Sequence, residues 1–316
     1  MRKLRPAPLC RSWLFLEGAN EDVLQHAAAS GADVLIHELE DFTPPPLRPR
    51  ARALAAELYA AWRGRGVVVA VRVNPLDQDG MDDLAAVMRG RPDIVALPKV
   101  AEPHHVVWLD EAVTRFERDY GIAEGSTSLL PNIEFARGLV QTGAIAMASR
   151  RIIGCLMASE DLAADLGAER GSDGLELAYA RQRFIVECRA AGVVAVDCPY
   201  TWSDAEGVER DTIWARRLGY TAKSLVDPVH ASIVNGVLTP GEEEMRQAGR
   251  IVAAFEAART QGFGRVELDV AGGPDLFQCK TPDRARRSAA RDRSRRSGLI
   301  SGRASGRRLF LREVHA

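Results

Sequence analysis

The feature that most constrains this chain is a recurrence: apolar runs of four to seven residues return along its first 225 positions, separated by longer amphipathic stretches. Each run is too short for a stable helix and long enough for a strand. The runs read as strands are Ser12–Leu16, Val34–Leu39, Val67–Val73, Ile94–Leu97, Ser128–Ile133, Ile152–Met157, Val193–Val196 and Ala222–Leu225. The intervals read as helices over Glu21–Ala29, Pro49–Arg63, Met81–Met88, Pro103–Tyr120, Phe135–Ala148, Leu175–Ala191 and Ala205–Leu218, each with Gly, Pro, Asn or Asp near an end.

Eight such strands with crossover helices predict a (β/α)8 TIM barrel, because an open doubly wound sheet more often has five or six strands and a Gly-rich first turn. No G-x-G-x-x-G, Walker A, H-E-x-x-H or G-x-S-x-G sequence is present, which disfavours those phosphate cradles, that zinc site and a serine hydrolase elbow. The expected domains are the barrel at 1–240, a C-terminal helical or lid extension at 241–280, with a helix over Glu242–Arg259 and a strand near Val266–Val270, and an Arg-rich flexible tail at 281–316. That tail holds 11 Arg and three acids, a balance of +8 in a chain whose net charge is −1, and has too few apolar residues to fold alone. It reads as a solvated terminus, with nucleic acid or CoA phosphates as the alternative partners.

The near-neutral average gives no reason to expect a nucleic-acid or membrane partner, and no apolar stretch reaches the roughly 20 residues needed to span a bilayer. Five cysteines without a C-x-x-C pair suit reduced thiols in the cytoplasm.

In a barrel of this kind the reacting groups sit where strands end at the C-terminal face. The second strand ends in Glu38-Leu39-Glu40-Asp41, where alternation puts Glu38 and Glu40 on one side. These acids suit either a site or a structural ion-pair network. Arg72 stands among valines in Val71-Arg72-Val73-Asn74, and a charge buried there needs an anion: a substrate carboxylate, a thioester-enolate oxygen, or one of Glu38, Glu40 and Asp41. The fifth and sixth strands end at Glu134 and at Ser159-Glu160-Asp161, so neighbouring strand ends each offer a carboxylate. Two carboxylates converging on one hard cation is the usual magnesium arrangement, although a lone acid before a helix is more often a dipole partner. Lys223 in the last strand can pair with acids or meet a phosphate, and His37 is expected to face the barrel wall away from the acids.

Six segments taken in order carry a resemblance: Arg11-Ser12-Trp13-Leu14-Phe15, Leu39-Glu40-Asp41, Val71-Arg72-Val73-Asn74, Leu97-Pro98-Lys99-Val100, Ile133-Glu134-Phe135-Ala136-Arg137-Gly138 and Ala158-Ser159-Glu160-Asp161-Leu162. Across residues 11–257 the chain resembles the HpcH/HpaI aldolase and citrate lyase beta-subunit family. The resemblance implies a TIM barrel, usually a homo-oligomer, that binds Mg2+ and breaks or forms a carbon–carbon bond in a hydroxyacyl thioester of the citryl-, malyl- or citramalyl-CoA kind. The implied partners are a small keto acid and a CoA or acyl-carrier thioester. Carried over by motif, Glu134 and Asp161 become metal ligands, Arg72 the substrate contact, and Glu40 and Asp41 the acids that position Arg72 or a water on the metal.

The chain also departs from the family pattern. Glu38 stands where relatives commonly have aspartate, and Leu225-Val226-Asp227-Pro228 replaces a Cys-Ile-His-Pro-like sequence. Relatives acting on CoA esters usually end in an Asp-bearing segment that reaches a neighbouring subunit; here Leu268-Asp269 is followed by Val-Ala-Gly-Gly-Pro-Asp and the Arg-rich tail, with Asp275 as the candidate substitute. An aldolase for free hydroxy-keto acids and a non-catalytic metal-binding subunit of a lyase complex are the competing readings.

Overall fold

The structure is a computed structural model that describes residues 5–261 throughout and the backbone of 265–270 and 273–278. Eight parallel strands close into one barrel in chain order: β1 (Ser12–Glu17), β2 (Val34–Glu38), β3 (Val68–Arg72), β4 (Ile94–Leu97), β5 (Ser128–Ile133), β6 (Gly154–Met157), β7 (Val194–Asp197) and β8 (Ala222–Leu225). Closure comes from β1 pairing with β8, Ser12 opposite Lys223 and Leu14 opposite Leu225. The expected (β/α)8 barrel is what the chain forms.

The helices of this unit are α1 (Glu21–His26), α2 (Arg48–Gly64), α3 (Gly80–Val87), α4 (Pro103–Asp119), α5 (Ala136–Val140), α6 (Thr142–Ala146), α7 (Ser159–Asp165), α8 (Ala178–Ala190), α9 (Ala205–Leu218) and α10 (His230–Leu238). Two differences from the sequence reading stand out. The helix expected over Phe135–Ala148 is two short ones meeting at Gln141, and α7 and α10 are helices that the reading did not include. At Gln141 the backbone leaves helical geometry, and α5 packs tightly against the loop after β4, where a Cβ on Gly138 would collide with the Val100 carbonyl.

Side chains divide by parity, as a pleated strand requires. One buried apolar cluster contains Trp13, Val34, Ile36, Val68, Ala70, Ile94, Leu130 and Leu156, which alternate with the residues of a second. That second cluster contains Leu14, Leu35, Val69, Val71, Val95, Leu129 and Ile133, with Tyr59, Trp62 and Phe116 of the surrounding helices. The first fills the barrel and the second cements helices to its outer wall. Each apolar layer reinforces the register set by the parallel backbone ladders, because a one-residue slip would turn it to the wrong face.

The described residues from 240 onward belong to a unit separate from the barrel. Its helix α11 (Glu242–Thr260) starts with Glu242, Glu243 and Glu244, whose charges complement the helix dipole, and Gly241 N–H donates to Glu244 at 2.8 Å. Strands β9 (Arg265–Val270) and β10 (Gly273–Gln278) pair antiparallel. The Arg-rich tail 281–316 and the side chains of Asp269 and Asp275 lie outside the described residues.

Candidate active site

Parity places the inward residues at the C-terminal ends of the strands directly above the apolar barrel filling. On β2 the inward series Val34, Ile36 ends in Glu38, on β3 Val68, Ala70 ends in Arg72, and on β5 Leu130 is followed by Asn132 and Glu134. Glu38, Asn132 and Glu134 are fully buried and Arg72 nearly so. A barrel built on β-branched runs therefore delivers its charges to one layer at its mouth.

Arg72 is the hub. Its Nε donates to Glu38 Oε1 at 2.9 Å, its Nη2 lies 3.3 Å from Glu40 Oε2 and 3.9 Å from Asp41, and its Nη1 is 3.7 Å from Glu134 Oε1. The guanidinium also stands 5.0 Å from the Phe15 ring centroid and 5.7 Å from that of Phe42, within cation–π range. Glu38 is fixed in turn by the backbone N–H groups of Glu40 at 2.6 Å and Phe42 at 2.7 Å. Burial by itself would lower the Arg72 pKa, but Glu38, Glu134 and Glu40 outweigh it and hold the guanidinium charged.

Lys99 completes the ring of charge. Its ammonium donates to Glu40 and sits 3.4 Å from Asp41. The backbone there has φ 56°, a left-handed conformation uncommon outside glycine, so the loop after β4 is bent to bring this cation over the acids. The sequence reading placed Lys99 in a motif and gave it no role. Its signal is indirect, a lysine directly after the Leu97-Pro98 strand end.

Glu134 is the group with least company. Among the described residues neither of its oxygens has a hydrogen-bond partner, and its contact with Arg72 is an ion-pair distance only. Burial is the largest influence on it, and with Glu40, Asp161 and Asp41 it overrides Arg72 to push the carboxyl up to about 8. Glu40 is likewise raised, by burial first, against Arg72 and Lys99. Asp161, in the first turn of α7, is half-buried and close enough to Glu134 to contribute to that shift. Asp165 at the end of the same helix accepts from Ala136 N–H at 2.7 Å, tying α7 to the loop that follows Glu134.

The formal balance decides what such a mouth can take. Arg72 and Lys99 supply two positive charges against four carboxylates in contact with them, Glu38, Glu40, Asp41 and Glu134, leaving −2 before Asp161 is added. A cation among these oxygens would offset both the burial and the neighbouring acids that raise Glu134 and Glu40. Oxygen donors with open positions suit a hard divalent ion that keeps most of its water. Among the described residues no three His, Cys, Asp or Glu side chains form a closed metal cage.

The family model described as HpcH/HpaI aldolase/citrate lyase matches residues 11–228, which include every one of these side chains. The chain belongs to that family. Within it, the chain is 34% identical over 263 residues to the citrate lyase subunit beta of Haemophilus influenzae, covering 83% of this chain and 90% of that one. It is 32% identical over 262 residues to a (3S)-malyl-CoA thioesterase of Cereibacter sphaeroides, covering 82% and 87%. Among solved structures it is similar to protein CitE from Mycobacterium tuberculosis in complex with magnesium, acetoacetate and coenzyme A, with a TM-score of 0.68, 25% identity and coverage of 89% and 97%. The resemblance read from six segments is thus that of a family whose match spans the whole barrel wall.

The structure brings together the residues read from sequence: Arg72 with Glu40, Asp41 and Glu134 in one contact set, and Asp161 within electrostatic reach of Glu134. His37 faces the wall as expected, with Nδ1 3.0 Å from Tyr59 Oη and Nε2 2.9 Å from the Gly18 carbonyl. Lys223 does not meet the mouth. It is buried on the outward face of β8 with Asp197 and Asp211.

Proposed function

We propose that the chain is a magnesium-dependent carbon–carbon lyase for a hydroxyacyl thioester of the citryl-, malyl- or citramalyl-CoA type, releasing a keto acid and an acyl thioester. The observation that carries this reading is Glu134, a buried carboxylate with two oxygens free of hydrogen bonds in a cluster short of positive charge. Relatives named as a citrate lyase subunit and a malyl-CoA thioesterase, and a similar structure in complex with magnesium and coenzyme A, support the substrate class and the ion.

Glu134 and Asp161 would hold the magnesium, which when bound stabilises negative charge developing on the keto-acid oxygen. The chain's own residues do the rest. Arg72 presents Nη1, its least engaged nitrogen, to the substrate carboxylate, while Glu38 on Nε and Glu40 beside Nη2 fix the plane of the fork. Lys99 holds Glu40 in place and offsets charge at the rim. Phe15 and Phe42 cover the guanidinium and exclude water from it, which strengthens the field felt by the breaking bond. As the bond between the hydroxyl-bearing carbon and the carbon alpha to the thioester carbonyl breaks, its electron pair passes to the thioester enolate. The hydroxyl proton leaves to a base, and a proton returns to the enolate carbon.

A reducing cytoplasm, assembly as a homo-oligomer and the absence of nucleic-acid partners belong to the same proposal. Support for the first is that Cys10, Cys155, Cys188 and Cys198 are all free thiols; among the described residues no helix is long and apolar enough to cross a membrane.

The deciding experiment is calorimetric titration of metal-free protein with magnesium, then oxaloacetate or glyoxylate, then acetyl-CoA, in wild type and Glu134→Ala. Metal-dependent keto-acid binding that the variant loses, followed by CoA-ester binding, is expected. Keto-acid binding without any interaction with acetyl-CoA would shift the assignment to an aldolase for free hydroxy-keto acids. A wild type that binds neither metal nor keto acid would overturn the enzyme reading.

A further inference from the structure

Helix α7 follows β6, so its first turn stands between the end of β5, which leads into Glu134, and the loop after β7. That turn carries two acids, Glu160 and Asp161, and successive residues of a helix point about 100° apart. The structure treats them differently. Asp161 is half-buried and acts electrostatically on Glu134. Glu160 is drawn to the β7 side: its Oε1 accepts from Thr201 Oγ1 at 2.8 Å and from Arg170 Nη2 at 3.0 Å and Nε at 3.2 Å. Arg170 is itself fixed, because its Nη1 pairs with Glu176 and its guanidinium lies 4.9 Å from the Trp202 ring centroid. An ion pair between two free surface side chains holds little, but here one partner is a post built into the segment between α7 and α8. On the other side, Asp165 accepts from Ala136 N–H at 2.7 Å, and Asp165 shares a helix face with Asp161, four residues before it. This short helix is thus tied towards β5 through Asp165 and towards β7 through Glu160, and a turn by one residue would carry Asp161 away from Glu134.

Resting on the lyase reading above, with Asp161 as a magnesium ligand, we propose that Arg170 is a positioning residue: by holding Glu160 against the β7 loop it sets the rotation of α7 that presents Asp161 to the ion beside Glu134. Arg170 acts through Glu160 and needs no contact with the ion. Position in the chain alone offers Glu160 and Asp161 as equals, and the tether decides which of them faces Glu134. Groups that orient a metal ligand without touching the metal commonly govern its affinity by a factor of about 10 to 100.

The test is calorimetric titration of the metal-free full chain with magnesium in wild type, Arg170→Met, Glu160→Ala, the double variant and Asp161→Asn, with a thermal melt showing that each is folded at the titration temperature. If Arg170→Met fails to fold because Glu176 loses its partner, Arg170→Gln, which can still donate to Glu176, takes its place with the same expectations. Charge alone predicts opposite signs for the two single variants, since removing a cation near the site tightens the binding of Mg2+ and removing an anion loosens it. Positioning predicts one sign: each single variant is expected to bind magnesium about tenfold or more weakly, and the double variant no more weakly than the weaker of the two. A tighter or unchanged dissociation constant in Arg170→Met overturns the proposal, as does a loss confined to one single variant or losses that multiply in the double. Weakened binding in Asp161→Asn beside unchanged binding in the other variants sinks Arg170 alone and leaves the lyase reading in place. Wild type that binds no magnesium, or Asp161→Asn that binds it as wild type does, overturns the metal site of that reading and this assignment with it.

Discussion

Two buried ionic clusters share this barrel, and they are built to opposite specifications. On the outer wall, Lys223 of β8 and Arg181 of α8 meet Asp197 of β7 and Asp211 of α9: Arg181 donates to both oxygens of Asp197 at 2.9 and 2.7 Å and to Asp211 at 2.6 Å, and Lys223 reaches Asp197 at 2.8 Å, Asp211 at 2.5 Å and the Cys198 carbonyl at 2.6 Å. Two cations face two carboxylates. Burial would raise the Asp211 pKa, yet Lys223 and Arg181 bring it to about 2. At the mouth the same residue types leave acids in excess, with Glu134 and Glu40 pushed up and three of their oxygens without a hydrogen bond. A closed cluster has spent its interactions on the fold; an open one keeps them for something that arrives.

The contrast is broken most forcefully by Lys223→Met. It leaves Arg181 alone with two buried acids, and loss of about 3–5 kcal/mol in urea unfolding is expected. A midpoint unchanged from wild type would mean that the wall cluster is not the structural member of the pair.

A second test probes the wall through a group that stays neutral. Burial lowers the His37 pKa from 6.5 to about 4, against its contact with the Gly18 carbonyl. The unfolded chain therefore takes up a proton before the folded one does. The stability tied to a neutral His37 is complete above pH 6.5 and lost progressively as pH falls from 6.5 through 4, by about 3 kcal/mol. Urea midpoints over that window should flatten in His37→Gln, and an identical slope in the variant would refute the assignment.

The smallest effect is expected where the acids are in excess. Glu134→Gln substitutes an amide for a carboxyl that burial already keeps close to neutral, so thermal and urea stability should move by less than about 0.5 kcal/mol. A loss comparable with that of Lys223→Met would erase the distinction between the clusters.

These elements differ in how legibly they are written. The strands are plain because apolar runs such as Val67–Val73 admit no other packing, and Arg72 is conspicuous as a charge inside one. The helix α7 was hidden because Ser159, Glu160 and Asp161 read as a polar strand end, and Gln141 gives no warning that a helix stops there. Site residues were recognisable where charge interrupts a pattern, as at Glu134, and obscure where meaning lies in missing partners. Asn132 is the clearest instance: in sequence it is one polar residue near a strand end, and only the fold reveals that no described residue hydrogen-bonds its amide. Lys99 depended on a left-handed backbone that its own residue type does not advertise.

The alternation of inward and outward residues carries a consequence for how this gene can change length. Inserting one residue between Val68 and Arg72 would rotate the guanidinium onto the outer wall and aim a valine at the mouth, whereas adding one between Gly121 and Gly125, in the turn after α4, would shift nothing inside. The barrel is thus read in a two-letter frame. Its strands tolerate substitution far better than they tolerate miscounting.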